Sequence, residues 1–217
     1  MNSRMRSRLP AVLFFLVLAL PLAAQESFSF QTETARLRGL IGSSQSSAQQ
    51  KHDLFVELAE ILQLSGDNEG AAEAWKNAAA AVPGERDEQA VLEMAACLMA
   101  VGEWDEASAA VRLVLLTSRN APGILLRAKY LGAQIEAFAR GDTVALEFYL
   151  DDPDYAPLKP AIYYTLYITT KKDTYKGRLV AEYPASPEAR LLTDDTTPFP
   201  GAMWLLYPGR ESVTIHR

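Results

Sequence analysis

The 217-residue sequence predicts an all-α fold of stacked helical hairpins, roughly three to four of them, and three observations lead there. A pattern returns after 36 residues: Leu58, Ala59, Leu62, Gly66, Ala71, Trp75 and Ala78, then Met94, Ala95, Leu98, Gly102, Ala107, Val111 and Val114. Each copy reads as helix, break, helix, because its apolar positions fall three or four apart on either side of the glycine. The chain is 49% apolar and carries one cysteine, so it can fill a packed domain but cannot form an internal disulfide. A recurrence of this length marks an array in which each hairpin buries its open face on the next.

Each element has a local reason. Leu58 and Leu62 share one helical face, and Ala59 beside them lets a second helix approach closely. Gly66 ends that helix, since glycine takes the left-handed conformation at little steric cost. Asp67 and Asn68 then offer acceptors to the free N–H groups of the next helix, whose buried stripe is Ala71, Ala74, Trp75 and Ala78 before Pro83. In the second copy Gly102 is the break. Glu103, Asp105 and Glu106 stand at the positive end of the helix that follows. Cys97, between Ala96 and Leu98, reads as a small buried apolar residue rather than a reactive thiol.

The flanks are different in kind. Residues 1–24 read as a signal peptide: Arg4, Arg6 and Arg8, the apolar run Ala11–Leu20, then Leu22-Ala23-Ala24 for cleavage. The stretch from Leu9 to Ala24 is shorter than the ~20 residues a span needs, which favours cleavage over the alternative of an uncleaved inner-membrane anchor. Loss of the three arginines takes the net charge from −6 to −9. An acidic chain without a Lys/Arg stripe is a poor nucleic-acid binder. Residues 25–50 read as a polar linker with a helical turn or two at Ala35–Ile41 and a flexible Ser43–Gln50.

The helical domain is expected over 51–190. A third hairpin spans Gly123–Asp152, with its break at Gly141-Asp142 lying 39 residues after Gly102, so its register stays open by a residue or more. Asp151-Asp152-Pro153-Asp154 lacks a calcium-loop spacing and reads as a solvated turn. A fourth hairpin pairs Ala161–Thr170 with the helix carrying Tyr175, Leu179 and Tyr183. Residues 191–217 form an irregular tail, punctuated by Pro198, Pro200, Gly201, Pro208 and Gly209. Its apolar run Met203–Tyr207 either caps the last hairpin or meets a partner.

The residues of His52–Glu85, with Ala59, Gly66, Ala71, Trp75, Ala78 and Pro83 in order, resemble the tetratricopeptide repeat (TPR) family. The copy at Glu88–Ala121 departs at Val111, where an aromatic is usual, and at Arg119, where proline is usual. Leu179–Ala189 is similar to the end of one hairpin and the start of the next in TPR proteins of the bacterial envelope. The resemblance implies a right-handed superhelix in which the first helices of successive hairpins line a concave groove. Carried onto this sequence, the peptide-binding groove is Asp53, Val56, Glu60, Gln63 and Leu64, then Gln89, Leu92, Ala96 and Met99, then Leu131, Ile135 and Phe138. Leu92 and Met99 are expected on its exposed wall. No Lys or Arg stands at these positions, so the expected ligand is an apolar or basic segment such as an amphipathic helix. The competing reading makes Leu92, Met99 and Phe138 part of the core or covers them with the tails.

Little points to catalysis. His52 and His216 are the only histidines and Cys97 the only thiol, and no metal-ligand spacing, phosphate loop or nucleophile motif accompanies them. The expected function is a non-enzymatic periplasmic scaffold or adaptor of the bacterial envelope. It is expected to bind a protein or peptide, with no cofactor, no metal, no nucleic acid and no stable membrane span after signal cleavage. Two alternatives stay open: a structural homo-oligomer whose groove is filled by its own tail or a second copy, and an envelope hydrolase with an unrecognised site.

Overall fold

The computed structural model describes residues 29–43, 46–118 and 121–193. The expected signal peptide and the tail from residue 194 onward lie outside the described residues. Among those described, every regular element is helical: α1 (Phe30–Ile41), α2 (Ala48–Ser65), α3 (Asn68–Ala80), α4 (Glu88–Val101), α5 (Trp104–Thr117), α6 (Pro122–Arg140), α7 (Val144–Tyr149), a 3-10 segment (Pro153–Leu158), α8 (Lys159–Thr170), α9 (Asp173–Glu182) and α10 (Pro187–Thr193). Each helix from α1 to α6 packs on the next. α4 also meets α6, and α8 meets α6, α9 and α10. No described helix is long and apolar enough to cross a membrane.

The duplicated pattern folds into duplicated geometry. Gly66 closes α2 at φ 84°, ψ 3° and Gly102 closes α4 at φ 85°, ψ 10°, both left-handed. Gly66 N–H donates to Gln63 O, Asp67 N–H to Leu62 O and Asn68 N–H to Gly66 O. The same three bonds recur 36 residues on, from Gly102 to Met99, Glu103 to Leu98 and Trp104 to Gly102. These bonds satisfy carbonyls that a helix end otherwise leaves free. Asp67 then caps α3 by accepting from Gly70 N–H, and Asp87 caps α4 by accepting from Ala90 N–H. Leu58, Ala59, Leu62, Ala71, Trp75 and Ala78 are buried together, as are Ala95, Ala107, Val111 and Val114.

Three elements differ from the sequence reading. The segment expected as a linker contains a twelve-residue helix, α1, that packs on α2 through buried Leu37 and half-buried Ile41. Its remaining positions are mostly polar, so its apolar stripe is one residue wide and reads weakly. The second helix starts at Ala48 rather than after residue 50, because Ser47 and Gln50 form a reciprocal capping box. In the third hairpin α7 falls within the expected Thr143–Leu150, but the turn after it, where no helix was expected, is a 3-10 segment carrying Pro153 and Pro157 before α8.

The interior is divided, and α6 divides it. Ala128, Leu131 and Ile135 belong to a core shared with α1–α5, whereas Tyr130, Ala133 and Ala137 belong to a second core with Leu146, Tyr155, Leu158, Ala161, Ile162 and Leu166. Two apolar stripes, each with spacings of three and four, thus run down opposite faces of one helix.

Candidate interaction surface

Polar bonds tie the first helices of successive hairpins to one another. Gln63 Nε2 on α2 donates to Cys97 Sγ on α4 at 3.1 Å. Arg127 Nη1 on α6 donates to Gln89 Oε1 on α4 at 2.9 Å, and Gln89 Nε2 passes the link to Glu93 Oε1 at 2.9 Å. Gln134 Nε2 on α6 donates to Thr165 Oγ1 on α8 at 3.2 Å. Each such bond adds about 1 kcal/mol, but a buried donor left unmatched costs about 1–3 kcal/mol, so the bonds hold the helices in one register. Gln63, Glu93, Gln134 and Thr165 are all buried.

At the edge of this face His52 sits between two carboxylates. Its Nδ1 lies 3.0 Å from Asp53 Oδ1 and its Nε2 lies 2.9 Å from Asp87 Oδ2. Both ring nitrogens therefore have an acceptor, which favours the doubly protonated ring. The bond to Asp53 and then that to Asp87 hold the imidazole pKa above its ordinary value, and the Asp53 carboxyl is lowered in turn by His52 and then by Gln49. Asp87 does two jobs, since its other oxygen caps α4.

The residues expected to line a groove divide sharply. Asp53 and Leu64 are exposed, Val56, Glu60 and Gln89 are half-buried, and Gln63 is buried. Leu92 (0% exposed), Ala96, Met99 (3%), Leu131 and Ile135 lie inside the first core. The expectation that Leu92 and Met99 form an exposed wall is corrected. α4 is apolar on nearly every side, and such a helix is enclosed: α3, α5 and α6 all pack on it. Phe138 is half-buried and stacks on Trp104 with ring centroids 6.1 Å apart. Arg127 was not among the expected positions, because the 39-residue glycine spacing left the register of α6 open. Its bond to Gln89 puts a cation where none was expected.

A second surface lies on the second helices. Between α3 and α5 runs a groove of ≈ 490 Å³. Met94 and Leu98 of α4 form its floor, and Ala72, Ala109 and Ala110 stand on its sides. Glu69 and Glu73 line one edge, Glu103 and Glu106 the other. Among the described residues, no group of three or more His, Cys, Asp or Glu is placed to hold a metal ion. The acidic turn at Asp151–Asp154 serves locally, with Asp152 accepting from Asp154 N–H at 2.9 Å.

Residues 133–216 match a family described as TP_0752_M, middle domain, a Treponema protein family. The match covers under half of the chain and starts inside α6. It takes in the later part of the expected third hairpin and all of the expected fourth, and that stretch is similar to this middle domain rather than to a TPR family. No curated protein matches the chain, and no solved structure matches it.

Proposed function

We propose that this protein is a non-enzymatic scaffold of the bacterial cell envelope, built on TPR-like hairpins that hold a partner protein. One observation carries the reading: two successive hairpins share the same left-handed glycine cap and the same three turn hydrogen bonds at a spacing of 36 residues. Stacked hairpins of one geometry present extended faces, which suits binding better than chemistry. Export to the periplasm rests on the basic and apolar character of residues 1–24. The burial of Leu92, Ala96 and Met99 favours a scaffold whose first-helix face is closed at its centre and whose partner meets other faces.

The test is capture from a solubilised envelope extract, with the chain from Gln25 onward as bait and light scattering of the bait alone beside it. The scaffold reading expects a monomeric bait that retains one envelope protein in stoichiometric amount. A bait that is oligomeric and retains nothing supports the structural homo-oligomer instead.

A further inference from the structure

We propose that the groove between α3 and α5 docks a basic amphipathic helix of the partner protein. The proposal rests on the scaffold reading and names the surface and the chemistry it uses. The floor is apolar, with half-buried Met94 and Leu98, and the sides are alanines that leave room for incoming side chains. The apolar surface does not stop at the groove. Leu113 lines its end at 38% exposed, and Leu116, one turn further along α5, is 79% exposed. Apolar side chains aligned this way on a groove mark a docking surface more than scattered ones do.

Charge selects the occupant. Glu69, Glu73, Glu103 and Glu106 edge the groove, and the single lysine lining it, Lys76, is held by Glu73 at 3.3 Å. A segment with lysines or arginines beside its apolar stripe gains from this rim. An anionic lipid surface meets like charge, and a second copy brings a net charge of −6 towards the same acidic rim. The walls run from Glu69 to Lys76 and from Glu106 to Leu113, about 10 Å each at 1.5 Å per residue, so the contact is about two helical turns long.

The experiment uses the chain from Gln25 onward and two fluorescent peptides with one leucine stripe at helical spacing. One carries lysines on its polar face, the other glutamates. The lysine peptide is expected to bind at least about tenfold more tightly, and Ala109→Arg or Glu69→Lys/Glu106→Lys to weaken it about tenfold or more. Ala109, Glu69 and Glu106 are exposed, so the variants leave the core intact. Glu69 and Glu106 stand in the first turns of α3 and α5, where lysine lowers the melting temperature, and affinities are compared on folded protein well below the transition. The charge-matched control Glu85→Lys/Glu182→Lys, at exposed positions away from the groove, keeps parental affinity. Equal binding of both peptides, or an equal loss in the control, overturns the proposal in favour of general charge attraction. Self-association abolished by Ala109→Arg overturns it in favour of a second copy. An Ala109→Arg bait that still captures the envelope partner sinks this groove and leaves the scaffold standing; a parent bait that captures nothing sinks the scaffold itself.

Discussion

Removing the Trp75 side chain tests the hairpin directly. Trp75 is 3% exposed and belongs to the core that joins Leu58, Ala59 and Leu62 of α2 to Ala71 and Ala78 of α3. A buried indole removes up to ~250 Å² from water, which at ~25 cal/mol/Å² is at most ~6 kcal/mol. Alanine keeps part of that, and the unfolded chain already hides ~10–40% of it. About 3–5 kcal/mol remains, the range found when core aromatics are deleted. Domains of this kind are stable by ~5–15 kcal/mol, so Trp75→Ala should remove from about a fifth of the stability to all of it. Urea titration followed by helical circular dichroism reads the change as a fall in midpoint at constant slope. Trp75→Phe, which keeps a ring in the site, should lose less than half as much. A Trp75→Ala midpoint within ~0.5 kcal/mol of the parent would refute the packing described for this hairpin.

The other predictions concern charge and backbone. Leu92→Lys should unfold the protein, since it buries an ammonium at a site with 0% exposure; an unchanged melting curve would restore the exposed-groove reading. Gly102→Ala should cost ~1–2 kcal/mol through its positive φ alone, because an added Cβ meets nothing nearer than Trp104 Nε1 at 4.0 Å. Gly177→Ala, in the interior of α9 with nothing within 4 Å, should instead stabilise by ~0.5–1 kcal/mol, and chemical denaturation of the pair checks both signs. His52 has a folded pKa raised above 6.5, so its contribution is full below pH 6.5 and is lost as pH rises through the raised value. The difference in melting temperature between parent and His52→Gln should therefore be largest in mild acid and shrink in alkali; a gap that does not vary with pH would contradict the His52 bridge.

The hairpins were legible because their signals are local. A glycine at a left-handed position, an acid just after it and alanines at helical spacing act over a few residues, and Gly66 and Gly102 obey them in the same way. α1 was harder, since Leu37 and Ile41 carry its packing amid polar neighbours. The groove failed for another reason. A repeat pattern says which helix faces inward, but what covers Leu92 and Met99 depends on how α3, α5 and α6 close around α4. The composition of Ala90–Val101, in which Glu93 is the single charged residue among apolar ones, already held that answer, because a helix bordering water needs a wider polar face. The acidic edges of the α3–α5 groove were present as Glu69/Glu73 and Glu103/Glu106. They gain meaning only when α3 and α5 are seen to flank Met94 and Leu98.

Because α6 serves as a party wall, the two halves of the molecule cannot loosen independently of it. Amides along α6 should exchange with solvent only when both rooms open, while α10 and α9, which face the third and smallest cluster around Tyr163, Leu179 and Ala189, open first. A shift of α6 that relieves crowding at Leu131 moves Tyr130 and Ala133 by the same amount on the other side. The hairpins at the N-terminal side and the segment matched to the middle-domain family are thereby mechanically geared, with one rigid rod as their common shaft.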